Sequence, residues 1–479
     1  MGRHKVSRTA TAAPIQAGRM KFAAGMQGKL MKLNNIGRVV LATAMSLAIG
    51  LGITACTRDY TVAYVYAISK ANGNIAAFGV DYQSGALTQL AGSPFANSGG
   101  SGTNVSPLSI VASPNGLFLY ILNNQSSSIS VNGVGTDGKL YGISTPSTLG
   151  SYPTSGTIDS TGCYLYVTVQ LQPGYTVASP GKGGVDIFPI ISSSCKNGSG
   201  TEGSLGTPTL VPVGNNPISV QLSLPYCSTA PAGVTSNAAC NGTGHYVVFA
   251  YVVDQENEAT PPTSVQLNVT STLAPQLLGF SQNMSTGALN LLSGSSCSAL
   301  ASSACIGYAT GIGPSAVAIE PTSRFVYVTD ALSNQIYSYS IASNTTGNLT
   351  GLATSPTAAG QYPIAETVDP RGKFLLTANY NSQTIGSYAI NVADGSLGAV
   401  SGTSAATVPA SPTCVSIEPA LGIYVFTSNL IDGSISGEKM NASTGALTGI
   451  ANTPFPTSTL PSCLVAVANG SHARSIVNP

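Results

Sequence analysis

The chain has 479 residues, 43% of them hydrophobic, enough for one large β architecture or two to three ordinary domains. Charged residues make up only 7%, against about 25% in typical soluble domains, and Gly, Ser, Thr and Asn take their place, a turn-rich β composition suited to export. The formal charge of +1 hides an asymmetry. Nine of the 18 Lys and Arg lie between Arg3 and Arg58, whereas from Cys56 onward 10 basic and 17 acidic residues leave a net −7, which offers no basic stripe and excludes nucleic acid as a partner.

The N-terminus reads as an address. Lys32 and Arg38 precede an uncharged apolar or small run, Val39 to Ala55, which ends in Ile53-Thr54-Ala55-Cys56. This pattern resembles a bacterial lipoprotein signal: residues 31–55 form the signal peptide, Cys56 takes the lipid and 56–61 form a tether. The competing reading is an uncleaved membrane anchor, since 17 uncharged residues approach spanning length. Residues 1–30 are basic and aperiodic, and are either a disordered extension or a stretch ahead of a true start at Met31. The expected location is the cell envelope, on the outer membrane, with the membrane reached through the lipid.

From residue 62 the chain repeats itself. Pro314, Pro363, Pro412 and Pro461 stand 49 residues apart and open the same phrase, as in "PSAVAIEPTSRFVYVTD", with looser copies at Pro107, Pro153 and Pro217. A second phrase, Gly followed two positions on by Leu, recurs at Gly85, Gly138, Gly203, Gly287, Gly347, Gly395 and Gly445. Each phrase counts seven units. Each unit reads as four short strands, in the clearest case 316–319, 325–329, 335–341 and 348–352. The turns between them carry Pro, Asn and Gly. Runs such as "FVYV" and "YVVFAYVV" do not alternate apolar with polar, so both sheet faces are covered. The predicted fold is all-β: a seven-bladed β-propeller of four-stranded antiparallel blades over 62–479. The body opens at 62–69 on a second-strand phrase and ends at 463–469 on a first-strand phrase, so the C-terminal strand is expected to complete the N-terminal blade.

Stretches 170–184, 225–244, 254–275 and 293–312 depart from the plain unit. Strand alternation places 170–184, 254–275 and 293–312 on one rim, where a small molecule, a glycan or an envelope protein would dock. Besides Cys56 the chain has eight Cys, an even number that favours disulfides in an exported protein. Cys227 and Cys240 share one insertion, and Cys297 and Cys305 another. Cys163 and Cys195 stand at adjacent ends of a hairpin. Cys414 and Cys463 remain, at matched positions of neighbouring first strands, a pair disfavoured because bridging needs Cα atoms within about 7 Å. No close CxxC and only three His argue against zinc, and no cofactor or metal is expected.

The phrase "P…AIEP…FVYVTD…IYSYSI…TGNLTGL" resembles the lactonase-type seven-bladed propellers, relatives of cycloisomerase-type 6-phosphogluconolactonase, and the YVTN-type surface propellers. The resemblance implies Arg-His after Gly-Pro, a Glu after the following strand and a His after a Pro near the second blade. Lactone opening needs a proton donor or acceptor and a cation for the developing oxyanion. Here Gly313-Pro314 is followed by Ser315-Ala316, the Glu slot holds Ala331, and Pro153 is followed by Thr154. The catalytic residues are thus unknown. The reading is a binding or scaffolding module, with an exported lactonase acting on a sugar or aryl lactone as the alternative.

Other candidates are few. Asp254, Glu256 and Glu258 form an acidic stretch that would bind Ca²⁺ or lie solvated. Glu320, Glu366 and Glu418 read as turn acids at a repeated position. Asp369, Arg371 and Lys373 read as a surface charge cluster, and His245 and His472 as isolated side chains.

Overall fold

The computed structural model describes residues 60–97, 106–195, 197–228, 237–240, 244–256, 274–297, 305–342, 346–402, 404–457 and 460–470. Cys56, Glu258, His472 and the signal segment lie outside them. Residues Tyr60–Pro479 cluster as one compact unit.

The described secondary structure is all strand, arranged as seven sheets with a four-strand antiparallel path and two smaller sheets. The clearest unit runs Pro314–Ile319, Phe325–Asp330, Gln335–Ile341 and Leu349–Gly351, within two residues of expectation, with Thr357–Ala358 added beside the third strand. The innermost strands, each opened by the repeated Pro or lying just around it, adjoin one another in cyclic order. The C-terminal strand Pro461–Ala468 pairs antiparallel with Thr61–Ser69, with Tyr64 opposite Val467. No single sheet closes on itself; each contributes one segment of the ring.

The two repeated phrases meet in space. The second strand of every unit carries an aromatic residue at or near its start: Tyr64, Phe118, Tyr164, Phe249, Phe325, Phe374 or Tyr424. Each lies on the glycine of the turn between the third and fourth strands of the next sheet: Gly138, Gly203, Gly287, Gly347, Gly395, Gly445 and Gly85. These glycines all have φ between 70° and 82°, the left-handed region. A Cβ on Gly395 would stand 2.3 Å from the Phe325 ring. Two strand positions later the pattern holds Tyr in five units, and its hydroxyl donates to the same glycine's carbonyl, as Tyr327 does to Gly395 at 2.9 Å and Tyr66 to Gly138 at 2.7 Å. Leu376 and Phe426 break this series; the Ser387 hydroxyl donates to Gly445 O instead, and the Tyr424 hydroxyl to Tyr82 O and Gln83 O. Gly395→Ala should therefore destabilise the protein by about 3 kcal/mol, through backbone strain and overpacking. A urea midpoint equal to that of the parent would refute the contact.

The acids after the first strand hold the next turn. Glu418 accepts from the N–H groups of Ala420, Leu421, Ile423 and Tyr424, and Asp369 from those of Arg371, Lys373 and Phe374. Glu320 does the same for Thr322 and Arg324. Glu366 does not belong to this set: alignment on the Pro makes Asp369 the equivalent of Glu320 and Glu418. Nor is Asp369 part of a surface cluster. It is fully buried, and Arg371 donates to Gly422 O at 2.9 Å and Leu421 O at 2.5 Å, stitching two units together.

Three disulfides are described. Cys163–Cys195 and Cys227–Cys240 join the partners their loops suggested. Cys414–Cys463 also forms, with Cα atoms 5.0 Å apart. The expectation against it fails because inner strands converge towards the axis, so matched positions on neighbouring units come within bridging reach. Cys297 and Cys305 are register partners across Ser296–Cys297 and Cys305–Ile306, and their side chains lie outside the description. The 225–244 insertion builds its own sheet, ordered Tyr226–Ser228, Gly244–Val247, Ala239–Cys240, so "YVVFAYVV" is divided between this sheet and the strand Phe249–Asp254.

Candidate functional site

An axial cavity of ≈ 530 Å³ is walled by the first strands of all seven units. Its side chains are Ser, Thr, Gln, Cys and aliphatic residues, and Glu366 is the single ionisable one among those that line it, the disulfide-bonded cysteines aside.

The residue after the Pro is where the family resemblance places reactive groups. Here it serves the ring. The Ser315 hydroxyl donates to Pro363 O at 2.6 Å and lies 3.0 Å from Thr329 Oγ1. The Thr154 hydroxyl donates to Pro217 O at 3.1 Å, and the Ser462 hydroxyl to Pro107 O at 2.7 Å. Each links one inner strand to the first residue of the next. Ala331 is buried, and its N–H donates to Gly313 O.

Glu366 is the unexpected feature. It sits third after Pro363, where the other inner strands carry Ile110, Gly156, Val220, Val317, Val415 and Leu464. The residue as a whole is half-buried, yet both carboxyl oxygens are buried and neither has a hydrogen-bond partner. Burial pushes its pKa well above the usual carboxylate range. The N–H groups of Thr329 and Ala318 offset part of that shift, although neither meets it with hydrogen-bond geometry. The signal was present in the sequence: one acid in a column of apolar residues, visible once the seven phrases are aligned.

Asp254 and Glu256 are not a solvated loop. Both are buried. Asp254 Oδ1 accepts from Asn216 N–H at 2.9 Å and from Glu256 N–H at 3.3 Å, and its Oδ2 lies against Gly214. Glu256 accepts from Asn215 Nδ2 at 2.6 Å and Gln276 Nε2 at 3.2 Å. Burial, with the Glu256 charge adding to it, raises the Asp254 pKa to about 7. Beside them runs an amide chain in which Gln170 donates to Asn216, Asn216 to Gln255, and Gln255 to Pro314 O, crossing three units. The His245 ring packs inside the small inserted sheet, with Nδ1 2.8 Å from Asn237 O. Among the described residues no group of three or more His, Cys, Asp or Glu is arranged to hold a metal.

Radial four-stranded sheets around a lined axial cavity define a β-propeller. The family model for the lactonase seven-bladed β-propeller matches residues 55–177 and 268–417, more than half of the chain, and the chain belongs to that family. Its fold is similar to that of a Bacteroides fragilis protein assigned as a 6-phosphogluconolactonase, with 16% identity, a TM-score of 0.58, and coverage of 86% of this chain and 99% of that one. It is likewise similar to the periplasmic gluconolactonase of Pseudomonas aeruginosa, with 17% identity, a TM-score of 0.56, and coverage of 85% and 99%. At such identities the likeness concerns the fold alone. No curated protein matches the chain.

Proposed function

We propose that this propeller is a lipid-anchored envelope protein that binds a small molecule, a glycan or an envelope partner and has lost the lactonase chemistry of its family. One observation carries the reading: the residues lining the channel include no His, Lys or Arg. Without them the wall has no cation to meet a developing oxyanion and no imidazole to move a proton. The Ser315 hydroxyl, in the slot that the resemblance gives to Arg, is engaged by Pro363 O. The anchor rests on the Cys56 signal, and disulfides within the body suit an oxidising compartment. The pairing of the two chain ends serves, on this reading, as the clasp of the ring.

The alternative, an exported lactonase, is favoured by family membership and by likeness to a periplasmic gluconolactonase. Hydrolysis of glucono-δ-lactone separates the two. The purified protein should not exceed the spontaneous rate between pH 5 and 8. Turnover that disappears on changing a channel residue would overturn the binding reading. Phosphorylated lactones are disfavoured substrates, because an anionic group would find no cation in the wall.

A further inference from the structure

Strand direction alternates within a unit, so the two rims of the propeller differ. One carries the repeated Pro and the turns between second and third strands. The other carries the turns that follow the first and third strands. The described chain begins on this second rim. Tyr60 precedes the strand Thr61–Ser69, in which Ser69 stands opposite Pro461 and Ala63 opposite Ala468, the last residue of its partner. The two chain ends are tied there: Asn469 donates from its N–H to Val62 O at 3.0 Å and from Nδ2 to Thr61 O at 2.9 Å.

The same rim carries every exposed tyrosine among the described residues. Tyr60 and Tyr82 are each 47% exposed, and the Tyr82 N–H donates to Tyr60 O at 2.7 Å. In the neighbouring unit Tyr141, 59% exposed, lies beside Gly135. The next residue, Thr136, accepts from the Tyr64 hydroxyl at 3.0 Å, which joins the two units at this point. Exposed Leu117 follows Gly116, which adjoins Val467 and Ala468. Tyr246, the fourth exposed tyrosine, stands on the small sheet inserted between a first and a second strand. On the Pro rim the exposed large hydrophobic residues, such as Ile312, Leu332, Ile431 and Leu460, are aliphatic. We infer that the tyrosine rim lies on the membrane surface, with Tyr60, Tyr82 and Tyr141 in the headgroup layer and the Pro rim turned away from the bilayer.

This deepens the reading above and rests on the lipid anchor proposed there. Cys56 is four residues ahead of Tyr60, and four extended residues reach at most about 14 Å. The Pro rim is farther off, since the strand Thr61–Ser69 alone spans about 27 Å. A lipid on Cys56 therefore holds the tyrosine rim, and not the Pro rim, at the bilayer. Tyr suits that position: its ring is apolar, its hydroxyl is wet, and it collects where hydrocarbon meets water. Apolar area buried at the interface adds to the hold of the acyl chains. The channel end at the repeated Pro then faces away from the membrane, towards a soluble ligand or an envelope partner.

The chain has no Trp, so one introduced indole reports without background. The test uses the full chain, expressed with its signal segment and reconstituted in phosphatidylcholine vesicles that carry a nitroxide on the headgroup. Tyr82→Trp and Tyr141→Trp should lose most of their emission to the nitroxide. Ile312→Trp and Ile431→Trp, on the other rim, should keep theirs. Iodide in the surrounding water should quench in the reverse order, which separates contact with the bilayer from mere nearness to the tether. Equal nitroxide quenching on both rims, stronger quenching of Ile312→Trp or Ile431→Trp, or an unquenched Tyr82→Trp and Tyr141→Trp would overturn the proposal. Intact mass reads the anchor separately. A mature protein without acyl groups on Cys56 would defeat the anchor, and vesicles added to that protein still decide the rim by the same pattern, so the two failures are distinguishable.

Discussion

Ending the chain after Leu460 should lower the thermal midpoint by more than roughly 10 °C. The truncation removes the inner strand Pro461–Ala468, which pairs residue by residue with the buried strand Thr61–Ser69. It exposes the edge of that strand, and an unpaired buried edge leaves backbone groups unsatisfied. It also removes the Ser462 latch onto Pro107 O and the Cys414–Cys463 disulfide. Closing a loop of 49 residues by a disulfide is worth about 4 kcal/mol in the chain-entropy picture. A full-length Cys414→Ser/Cys463→Ser double variant separates the two terms: it should lose the disulfide contribution while keeping the strand pair. Differential scanning calorimetry reads both. A truncated chain that melts where the parent does would remove the clasp from the account.

Raising the pH from 4 to 8 should lower the thermal midpoint, the reverse of a fold held by ion pairs. Burial raises the Asp186 pKa from 3.8 to about 6, with the Leu149 and Gly150 N–H groups opposing the shift at 2.7 and 3.1 Å. Asp254 is raised to about 7, and Glu366 well above its ordinary value. A carboxyl with a raised folded pKa binds protons more tightly in the native state than in the unfolded one. Its contribution is fully present below the unfolded pKa and is lost as the pH climbs through the folded one. For Asp186 the window runs from 3.8 to about 6 and is worth about 3 kcal/mol. The Asp254 window extends to about 7. Asp186→Asn keeps an oxygen for the two N–H groups and should flatten the lower part of the profile. Were Asp186→Asn to leave the slope between pH 4 and 6 unaltered, burial of this carboxyl would not be its source.

Much of the architecture was readable because a propeller writes each unit separately. The Pro that opens an inner strand and the glycine that turns the third strand into the fourth answer local backbone demands, so they recur wherever the unit does. The strands themselves were readable from β-branched and aromatic runs without alternation. The absent Arg-His pair was readable too, as Ser315-Ala316, since that comparison needs only aligned phrases. The role taken up by Ser315 was not: its acceptor, Pro363 O, lies on the next unit.

The misreadings share one cause. Arg371 looked like a surface charge because its partners, Leu421 and Gly422, lie some fifty residues on. Cys414 and Cys463 looked too far apart because sequence spacing says nothing of how inner strands converge on an axis. Glu366 looked like one of the turn acids because burial is a property of the neighbouring unit, not of the strand that carries the side chain. Unit number, strand identity and turn chemistry are decided within about fifty residues, and the sequence by itself determined them. Which strands line the channel, which carboxyl is left without a partner and which acceptor each inner-strand hydroxyl meets depend on contacts between units, and only the tertiary structure decided those.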